Sequence, residues 1–387
     1  MNESLYVNNT YPDGEGLFLG PYLFSFIYFI NKRNSRGKST LGTRVISTQS
    51  SRKIDPNYIT GFTDGEGCFY IGLSPDKNYN SGYRVKLSFQ IGLHEKDLGL
   101  LKLIISYFGV GKISKLASNS VLYRVTSPSG PVPVGPSRSP RESIDELKVI
   151  IDHFDRYPLI SYKYKDYLLF KQAFELVQKK EHFSVEGLRK IVAIKASINL
   201  KLSSNLKNAF PNVVPVTIPK IAPLWRPKAA RGGHFDPLPI GEGAKIEDRK
   251  ILNYNWIAGF TDAEGCFFIA HKKSQASKLG ETVWLKFILT QHSRDENLLK
   301  NLIEIFGCGR FVAKNTKEYG EFIVEKYSDI RDKIIPLFEK YPLYGIKKEN
   351  YLDFKKVSEL INNKSHLTLE GLEQIKQIKS GMNKYRK

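Results

Sequence analysis

From Tyr83 to Ile91 the chain alternates: Val85, Leu87, Phe89 and Ile91 are apolar, and Arg84, Lys86, Ser88 and Gln90 lie between them. A period of two marks a strand with one buried face and one polar, cationic face. The same alternation returns far along the chain at Val283, Leu285, Phe287 and Leu289. Ahead of the first strand, Asp55 followed by Pro56 signals a helix start, an acidic N-cap and a proline in the first turn. Asn253 or Asn255 serves that role in the second block, and the two helices stop at Gly67 and Gly265. Helical stretches are predicted again from Asp97 to Phe108 and from Asp295 to Phe306, followed by two shorter strands starting near Gly111 and Gly309. Helices close each block, for instance Lys163 to Lys179 and Val185 to Ser197. The order in each block is α-β-β-α-β-β-α-α. Strands joined as hairpins give antiparallel sheets, so the class is α+β.

The two blocks are copies of each other. Tyr58-Ile-Thr-Gly-Phe-Thr-Asp-Gly-Glu-Gly-Cys-Phe-Tyr-Ile71 matches Trp256-Ile-Ala-Gly-Phe-Thr-Asp-Ala-Glu-Gly-Cys-Phe-Phe-Ile269 at ten of fourteen positions, 198 residues apart. The same offset aligns Phe89 with Phe287 and His94 with His292. Beyond it, a shorter offset of 184 aligns Tyr157-Pro158-Leu159 with Tyr341-Pro342-Leu343, and Glu186-Gly187-Leu188 with Glu370-Gly371-Leu372. The difference is an insertion in the first copy, placed at 127–141, where Pro, Ser and Gly predict a disordered loop. The first copy spans 52–205 and the second 248–387. Between them, 206–247 is a linker, extended and stiffened by its prolines. Residues 1–51 are an appendage, poorly structured or a targeting segment, since Leu17 to Ile30 is apolar and is followed by Lys32, Arg33, Arg36 and Lys38.

Composition narrows the function. The chain of 387 residues carries 59 Lys and Arg against 39 Asp and Glu, a net charge of +20. Such a surplus calls for a polyanionic partner, nucleic acid before anionic membrane. No stretch reaches the roughly 20 apolar residues of a membrane span. Three cysteines without a paired spacing exclude a disulfide scaffold and a cysteine-rich zinc module. The phosphate-binding G-x-x-x-x-G-K-[ST], the zinc-binding H-E-x-x-H and the nucleophile elbow G-x-S-x-G are all missing.

The first helix of each copy carries the chemistry. Asn57, Gly61 and Gly65 recur every four residues, as do Asn255, Gly259 and Ala263. That spacing puts them on one helical face. A stripe with so little side chain lets two helices pack very closely. If the two helices pack on each other, their C-terminal ends meet and bring Glu66 beside Glu264. Two carboxylates there repel each other and the helix dipoles. A divalent cation offsets this, and carboxylate with carbonyl oxygen suits Mg²⁺. The carbonyls of Gly65 and Ala263 are the additional candidate ligands. Asp64 and Asp262 read as structural acids that bond nearby backbone.

These residues carry a resemblance. Ile59-Thr-Gly-Phe-Thr-Asp-Gly-Glu-Gly67 and Ile257-Ala-Gly-Phe-Thr-Asp-Ala-Glu-Gly265 resemble the two signature motifs of the LAGLIDADG homing endonucleases, single-chain and double-motif, as encoded in fungal mitochondrial introns. The last Asp of the family name is Glu here. The resemblance implies a tandem duplication of an αββαββα unit forming a pseudo-twofold saddle, with antiparallel DNA-binding sheets laid in the major groove. Strand parity then turns Tyr70, Gly72, Ser74, Arg84, Lys86, Ser88 and Gln90 of the first copy towards DNA. In the second copy the set is Phe268, Ala270, Lys272, Trp284, Lys286, Ile288 and Thr290. Lys112, Lys115, Arg124, Arg310 and Lys314 are further strand cations. Arg and Gln read base edges, whereas Lys more often contacts phosphate.

The resemblance implies catalytic residues as well. Glu66 and Glu264 match the metal-binding acids. Lys163 and Lys347, each five residues after the proline of Tyr-Pro-Leu, match the active-site lysine. Gln291 matches a polar position that orders water, and its counterpart is Leu93, so the half-sites are chemically unequal. The implied activity is site-specific hydrolysis of both strands of a long duplex by a monomer, leaving short 3′ overhangs. Mg²⁺ is the implied cofactor, with Mn²⁺ substituting and Ca²⁺ supporting binding without cleavage. The implied location is the mitochondrion. The rival reading is an intron maturase, which binds intron RNA and assists splicing without cutting. Retention of both acids favours the nuclease. An architectural nucleic-acid binder ranks third, because it needs no paired acids.

Overall fold

The computed structural model describes residues 54–116, 118–127, 140–198, 202–217, 253–314 and 318–383. The appendage 1–51 and most of the predicted linker lie outside the described residues. All the described residues fall in one compact unit. The first repeat runs α1 Pro56–Glu66, β1 Gly67–Pro75, β2 Tyr83–His94, α2 Leu98–Phe108, β3 Lys112–Lys115, β4 Ser120–Thr126, α3 Pro140–Arg156, α4 Lys163–Gln178 and α5 Val185–Ser197. A short α6, Ser204–Ala209, follows. The second repeat runs α7 Tyr254–Glu264, β5 Gly265–Lys273, β6 Glu281–His292, α8 Glu296–Phe306, β7 Arg310–Lys314 and β8 Tyr319–Val324. It continues through Tyr327–Asp329 and a π turn Ile330–Ile334 into α9 Ile335–Lys340, then α10 Lys347–Asn362 and α11 Leu369–Ser380.

Each repeat holds a four-stranded antiparallel sheet, ordered β1-β2-β4-β3 in the first and β5-β6-β8-β7 in the second. Register follows the apolar alternation. Phe69 pairs Phe89, and Phe89 pairs Val125. Phe267 pairs Phe287, and Phe287 pairs Val324. These side chains point to the helices and are buried, with Phe154, Tyr167 and Phe170 of α3 and α4 packing on Phe69 and Phe89. The α1 start is capped by Asp55, whose carboxylate accepts from Asn57 N, and in the second repeat Asn253, not Asn255, does the same.

Two expectations change. A helix precedes the closing pair in each repeat: α3 in the first, and the run ending in α9 in the second. In the second it widens to a π turn immediately before Pro336, whose missing N–H and ring cannot follow an ordinary α turn. Of the span 127–141, residues 128–139 lie outside the described residues, and its two ends are built into the fold. Ser127 is buried and exchanges bonds with Leu87, accepting from its N–H at 2.9 Å and donating its own to the carbonyl at 2.8 Å. Pro140 and Arg141 already belong to α3.

Candidate active site

Helices α1 and α7 cross on their glycines. A β carbon on Gly61 would lie 2.0 Å from the carbonyl oxygen of Trp256, and one on Gly259 would lie 1.9 Å from that of Tyr58. No side chain other than hydrogen fits between a helix and a carbonyl of its neighbour at that separation. One turn on, a β carbon on Gly65 would come 2.3 Å from Ala263 Cβ and 3.4 Å from Glu264 Oε1. The small-residue stripe thus faces its counterpart, and the second glutamate reaches the end of the first helix.

Asp64 and Asp262 hold this crossing in place. Asp64 accepts from the backbone N–H groups of Ile160 and Ser161 and from the Ser161 hydroxyl at 2.6 Å. It also accepts from the indole Nε1 of Trp256, in the other repeat, at 2.7 Å. Asp262 accepts from Tyr344 N at 2.8 Å and Gly345 N at 2.6 Å, and from the Tyr58 hydroxyl across the interface. The structural role expected of these acids is therefore what the structure gives them. Their aromatic partners were not foreseen, although Tyr58 and Trp256 stand at equivalent places in the two motifs.

Glu66 and Glu264 end their helices, where the helix dipoles are negative. Burial raises the carboxyl of Glu66 above the ordinary glutamate range, and the neighbouring Glu264 raises it further, against the pull of Lys347 and Lys163. Glu264 is raised by burial, with both lysines opposing. Lys163 Nζ donates to Gly65 O at 2.6 Å and Thr63 O at 3.0 Å, and Lys347 Nζ donates to Ala263 O. Burial lowers the Lys163 ammonium, while Asp64 and the two glutamates raise it. Two acids and two cations are thus gathered at one end of one helix pair.

The donor set suits a hard cation. Among the described residues no three His, Cys, Asp or Glu side chains cluster as a closed cage. Two carboxylates beside helix-end carbonyls instead resemble the sparse oxygen sets that Mg²⁺ accepts while keeping water and substrate phosphate. The carbonyls of Gly65 and Ala263 are already engaged by lysine ammoniums, positive groups resting where a cation would be attracted. Gln291 follows the parity of buried Leu289 near the end of β6, and its amide oxygen accepts from His292 N at 3.0 Å.

The outer faces of the sheets carry most of the expected groups in the expected order. Gln90 lies opposite Arg124, which in turn lies opposite Lys112; Lys115 is exposed at the end of β3. Tyr70 covers Gly72, whose β carbon would lie 2.9 Å from the ring. Gly72, Ser88 and Ala270 are buried and offer no surface, contrary to expectation; Ser88 accepts from Gln90 Nε2 at 2.6 Å. Ser74 and Arg84 pair at the hairpin end, where Arg84 is held by Asp76 at 2.6 Å. On the second sheet, Lys272 and Lys286 lie over the Trp284 ring at 5.5 Å each. Phe268 lies opposite Lys286, Ile288 opposite Ile323, and Thr290 opposite Glu321. Glu325 holds Lys286 at 2.9 Å and also Arg310, and Glu321 holds Lys314 at 3.0 Å. These two acids were missed, though their alternation with the core residues Phe322 and Val324 showed which face they share. Among the described residues no helix is long and apolar enough to cross a membrane.

Comparison with known proteins gives the same pattern. The family model described as LAGLIDADG endonuclease matches residues 59–131, 139–174 and 257–358. A Neurospora crassa protein called probable intron-encoded endonuclease 2 is 36% identical over 373 residues, 94% of this chain and 74% of its own length. Probable intron-encoded endonuclease 3 of the same fungus is 36% identical over 84% of this chain, which spans only 54% of that relative. Among solved structures, the homing endonuclease I-SmaMI bound to cleaved DNA superposes with a TM-score of 0.73 and 36% identity, covering 87% of this chain and 99% of that one. I-SmaMI has also been solved on an uncleaved DNA target with calcium ions, with a TM-score of 0.72.

Proposed function

The chain belongs to the LAGLIDADG endonuclease family, and from that premise we propose that it is a monomeric, metal-dependent homing endonuclease that cuts both strands of a long duplex and leaves short 3′ overhangs. The observation that carries the reading is the convergence of Glu66 and Glu264 at the ends of crossing helices, with Lys163 and Lys347 beside them. Glu66 and Glu264 would hold Mg²⁺, with the carbonyls of Gly65 and Ala263 as further ligands once Lys163 and Lys347 release them. When bound, the metal would activate a water and neutralise charge on the attacking and leaving oxygens. Mn²⁺ substitutes for it, and Ca²⁺ supports binding without cutting, in line with the calcium-bearing complex of I-SmaMI on uncleaved DNA. Each lysine brings positive charge to a scissile phosphate. The sheets grip the grooves, with Tyr70, Arg84, Lys86, Gln90, Lys112, Lys115 and Arg124 on one half-site. Lys272, Trp284, Lys286, Thr290, Arg310 and Lys314 act on the other. Two centres at one helix pair are close together, so they reach phosphates that face each other across the minor groove, which are offset in the 3′ direction.

The host compartment is the mitochondrion. One Podospora anserina relative, 44% identical over 133 residues, is described as a protein in an ND4 intron. The rival reading of a splicing factor that does not cut has no observation in its favour, since both acids and both lysines are in place.

Glu66→Gln and Glu264→Gln test the reading. Each keeps shape and removes the charge that holds the metal, so cleavage of at least one strand should fall ~10²–10⁴-fold, several kcal/mol of transition-state stabilisation at ~1.4 kcal/mol per tenfold. Binding, measured by titration in Ca²⁺, should persist, because it comes from the sheets. Supercoiled target plasmid with Mg²⁺, scored for nicked and linear product, is the assay. Linear product formed at the parent's rate by both variants would overturn the assignment.

A further inference from the structure

Helices α4 and α10 begin at Lys163 and Lys347, and neither start carries a side-chain cap from its own N-cap residue, Tyr162 or Ile346. The backbone N–H of each N-cap residue is bound across the interface instead. Tyr162 N donates to Asp295 Oδ1 at 2.6 Å, and Ile346 N donates to Asp97 Oδ1 at 2.7 Å. Both aspartates are only 7% exposed, so the contact is shielded from water. Each stands at the N-cap of its own helix, α2 or α8, yet makes no capping bond there. The carboxylate that local structure would claim has been turned towards the other repeat. Arg294, beside Asp295, stacks on the Tyr162 ring at 4.7 Å and closes the first of these contacts further.

Each helix start is therefore gripped from two sides. Its own repeat holds the two preceding N–H groups, through Asp64 for Ile160 and Ser161 and through Asp262 for Tyr344 and Gly345. The opposite repeat holds the N–H immediately before the lysine. The lysine then reaches the C-terminal carbonyls of its motif helix.

We propose that Asp295 and Asp97 are positioning residues that act in trans: Asp295 of the second repeat aligns Lys163 of the first, and Asp97 of the first aligns Lys347 of the second. The proposal rests on the reading of the two lysines under Proposed function. It makes each cut depend on both repeats, because neither lysine is aligned until the repeats dock. A misplacement on the order of 1 Å at a group that acts on reacting atoms costs about 10²-fold in rate.

The test uses the full chain on a target duplex labelled on one strand at a time, in single turnover with Mg²⁺. Lys163→Met and Lys347→Met first identify the strand each lysine serves. Asp97→Ala should slow, by ~10–100-fold, the strand that Lys347→Met slows and leave the other near the parent's rate. Asp295→Ala should mirror it on the strand of Lys163. Asn at either position keeps an acceptor oxygen for the N–H and should restore the rate, which a lost negative charge alone would not allow. Hydrogen exchange gives a readout independent of cleavage. Asp97→Ala should deprotect 344–348, and Asp295→Ala should deprotect 160–164, with α2 and α8 unchanged. Equal slowing of both strands, slowing of the strand served by the same repeat's lysine, or unchanged exchange at those segments would overturn the proposal. If the lysine variants cut both strands at the parent's rate, the reading of the lysines fails instead, and exchange alone then decides whether the aspartates set the helix starts in trans.

Discussion

Gly61→Ala and Gly259→Ala add one methyl group each, and the structure makes their cost unusually direct. The new carbon would sit 2.0 Å from Trp256 O or 1.9 Å from Tyr58 O, against 3.4 Å or more for an ordinary contact. Both neighbours are backbone in a helix, so no rotamer change relieves the clash and the helices must part by about 1.5 Å. Overpacking of this kind costs about 1–3 kcal/mol. Parting also pulls Trp256 Nε1 from Asp64, 2.7 Å away, and Tyr58 from Asp262. A buried carboxylate oxygen left without its donor costs about 1–3 kcal/mol more. The sum, roughly 2–6 kcal/mol, is a large part of a typical stability of about 5–15 kcal/mol. At about 2–4 °C per kcal/mol for domains of some 150–250 residues, Tm should fall by roughly 4–24 °C. Gly99→Ala is the internal control. It also lies in a helix, but a β carbon there meets nothing within 4 Å. It should stabilise by up to ~1 kcal/mol, through helix propensity and a less flexible unfolded chain. Thermal and urea unfolding followed by circular dichroism, with plasmid cleavage alongside, measures all three. If Gly259→Ala and Gly99→Ala shift Tm alike, the glycines are not there for helix contact and the account of the crossing is wrong.

The pH dependence of the metal-free protein should follow from the glutamates. Their folded values lie above the ordinary 4.5, up to about 8 for Glu66, so the folded state binds more protons than the unfolded in that window. Stability from this pair is full below the unfolded value and is lost as pH rises through the folded one. Metal-free Tm should fall between pH 5 and pH 8 by this contribution, Mg²⁺ should restore it at pH 8, and Glu66→Gln should flatten the slope; a slope unchanged by that variant refutes the pairing. Trp256→Phe removes one buried donor to Asp64 and should cost about 1–3 kcal/mol in urea unfolding, and an unchanged midpoint would count against a cross-repeat bond. DNA affinity should fall steeply with salt, ~10³-fold or more between 50 and 200 mM if about 6–10 phosphates are contacted. Glu325→Gln frees Lys286 and Arg310 from their partner and should tighten non-specific binding in a fluorescence titration; no change there would mean that face does not meet DNA.

Much of the fold was legible because it is written in local periodicity. The alternation at Val85, Leu87, Phe89 and Ile91 gave a strand and its buried face, and glycine spacing gave the helix crossing. Helix α3 was overlooked although Ile144, Leu147, Ile150, Ile151 and Phe154 lie on one helical face. Its first residues, Pro140 and Arg141, close a stretch whose Pro, Ser and Gly content reads as loop. Glu66, Glu264 and the lysines stood out in the sequence because each has a twin in the other copy. Asp97 and Asp295 also have twins, but their partners are backbone N–H groups in the opposite repeat, and a backbone N–H leaves no mark in a sequence. Ser88 and Ala270 were assigned to a face correctly and to its surface wrongly, since parity tells direction and not what a neighbouring side chain such as Tyr70 covers. Gln291 was singled out by resemblance alone, since its counterpart in the first copy is Leu93 and no twin marks it.

The crossing of α1 and α7 also dictates how the chain must come together. Asp64 meets Trp256, and Asp262 meets Tyr58, across roughly half the length of the polypeptide, so these contacts are of high contact order and late in reward. Either half folded alone would present a bare glycine stripe and a carboxylate lacking one of its donors. Each half therefore completes its polar contacts at the crossing only on meeting the other, and the segment joining them matters through the effective concentration at which it keeps one half near the other. Synthesis delivers the first half well before its partner exists, so its sheet and helices wait with the docking face open to solvent. Chaperone capture in that interval would fall on the same face that later closes against α7.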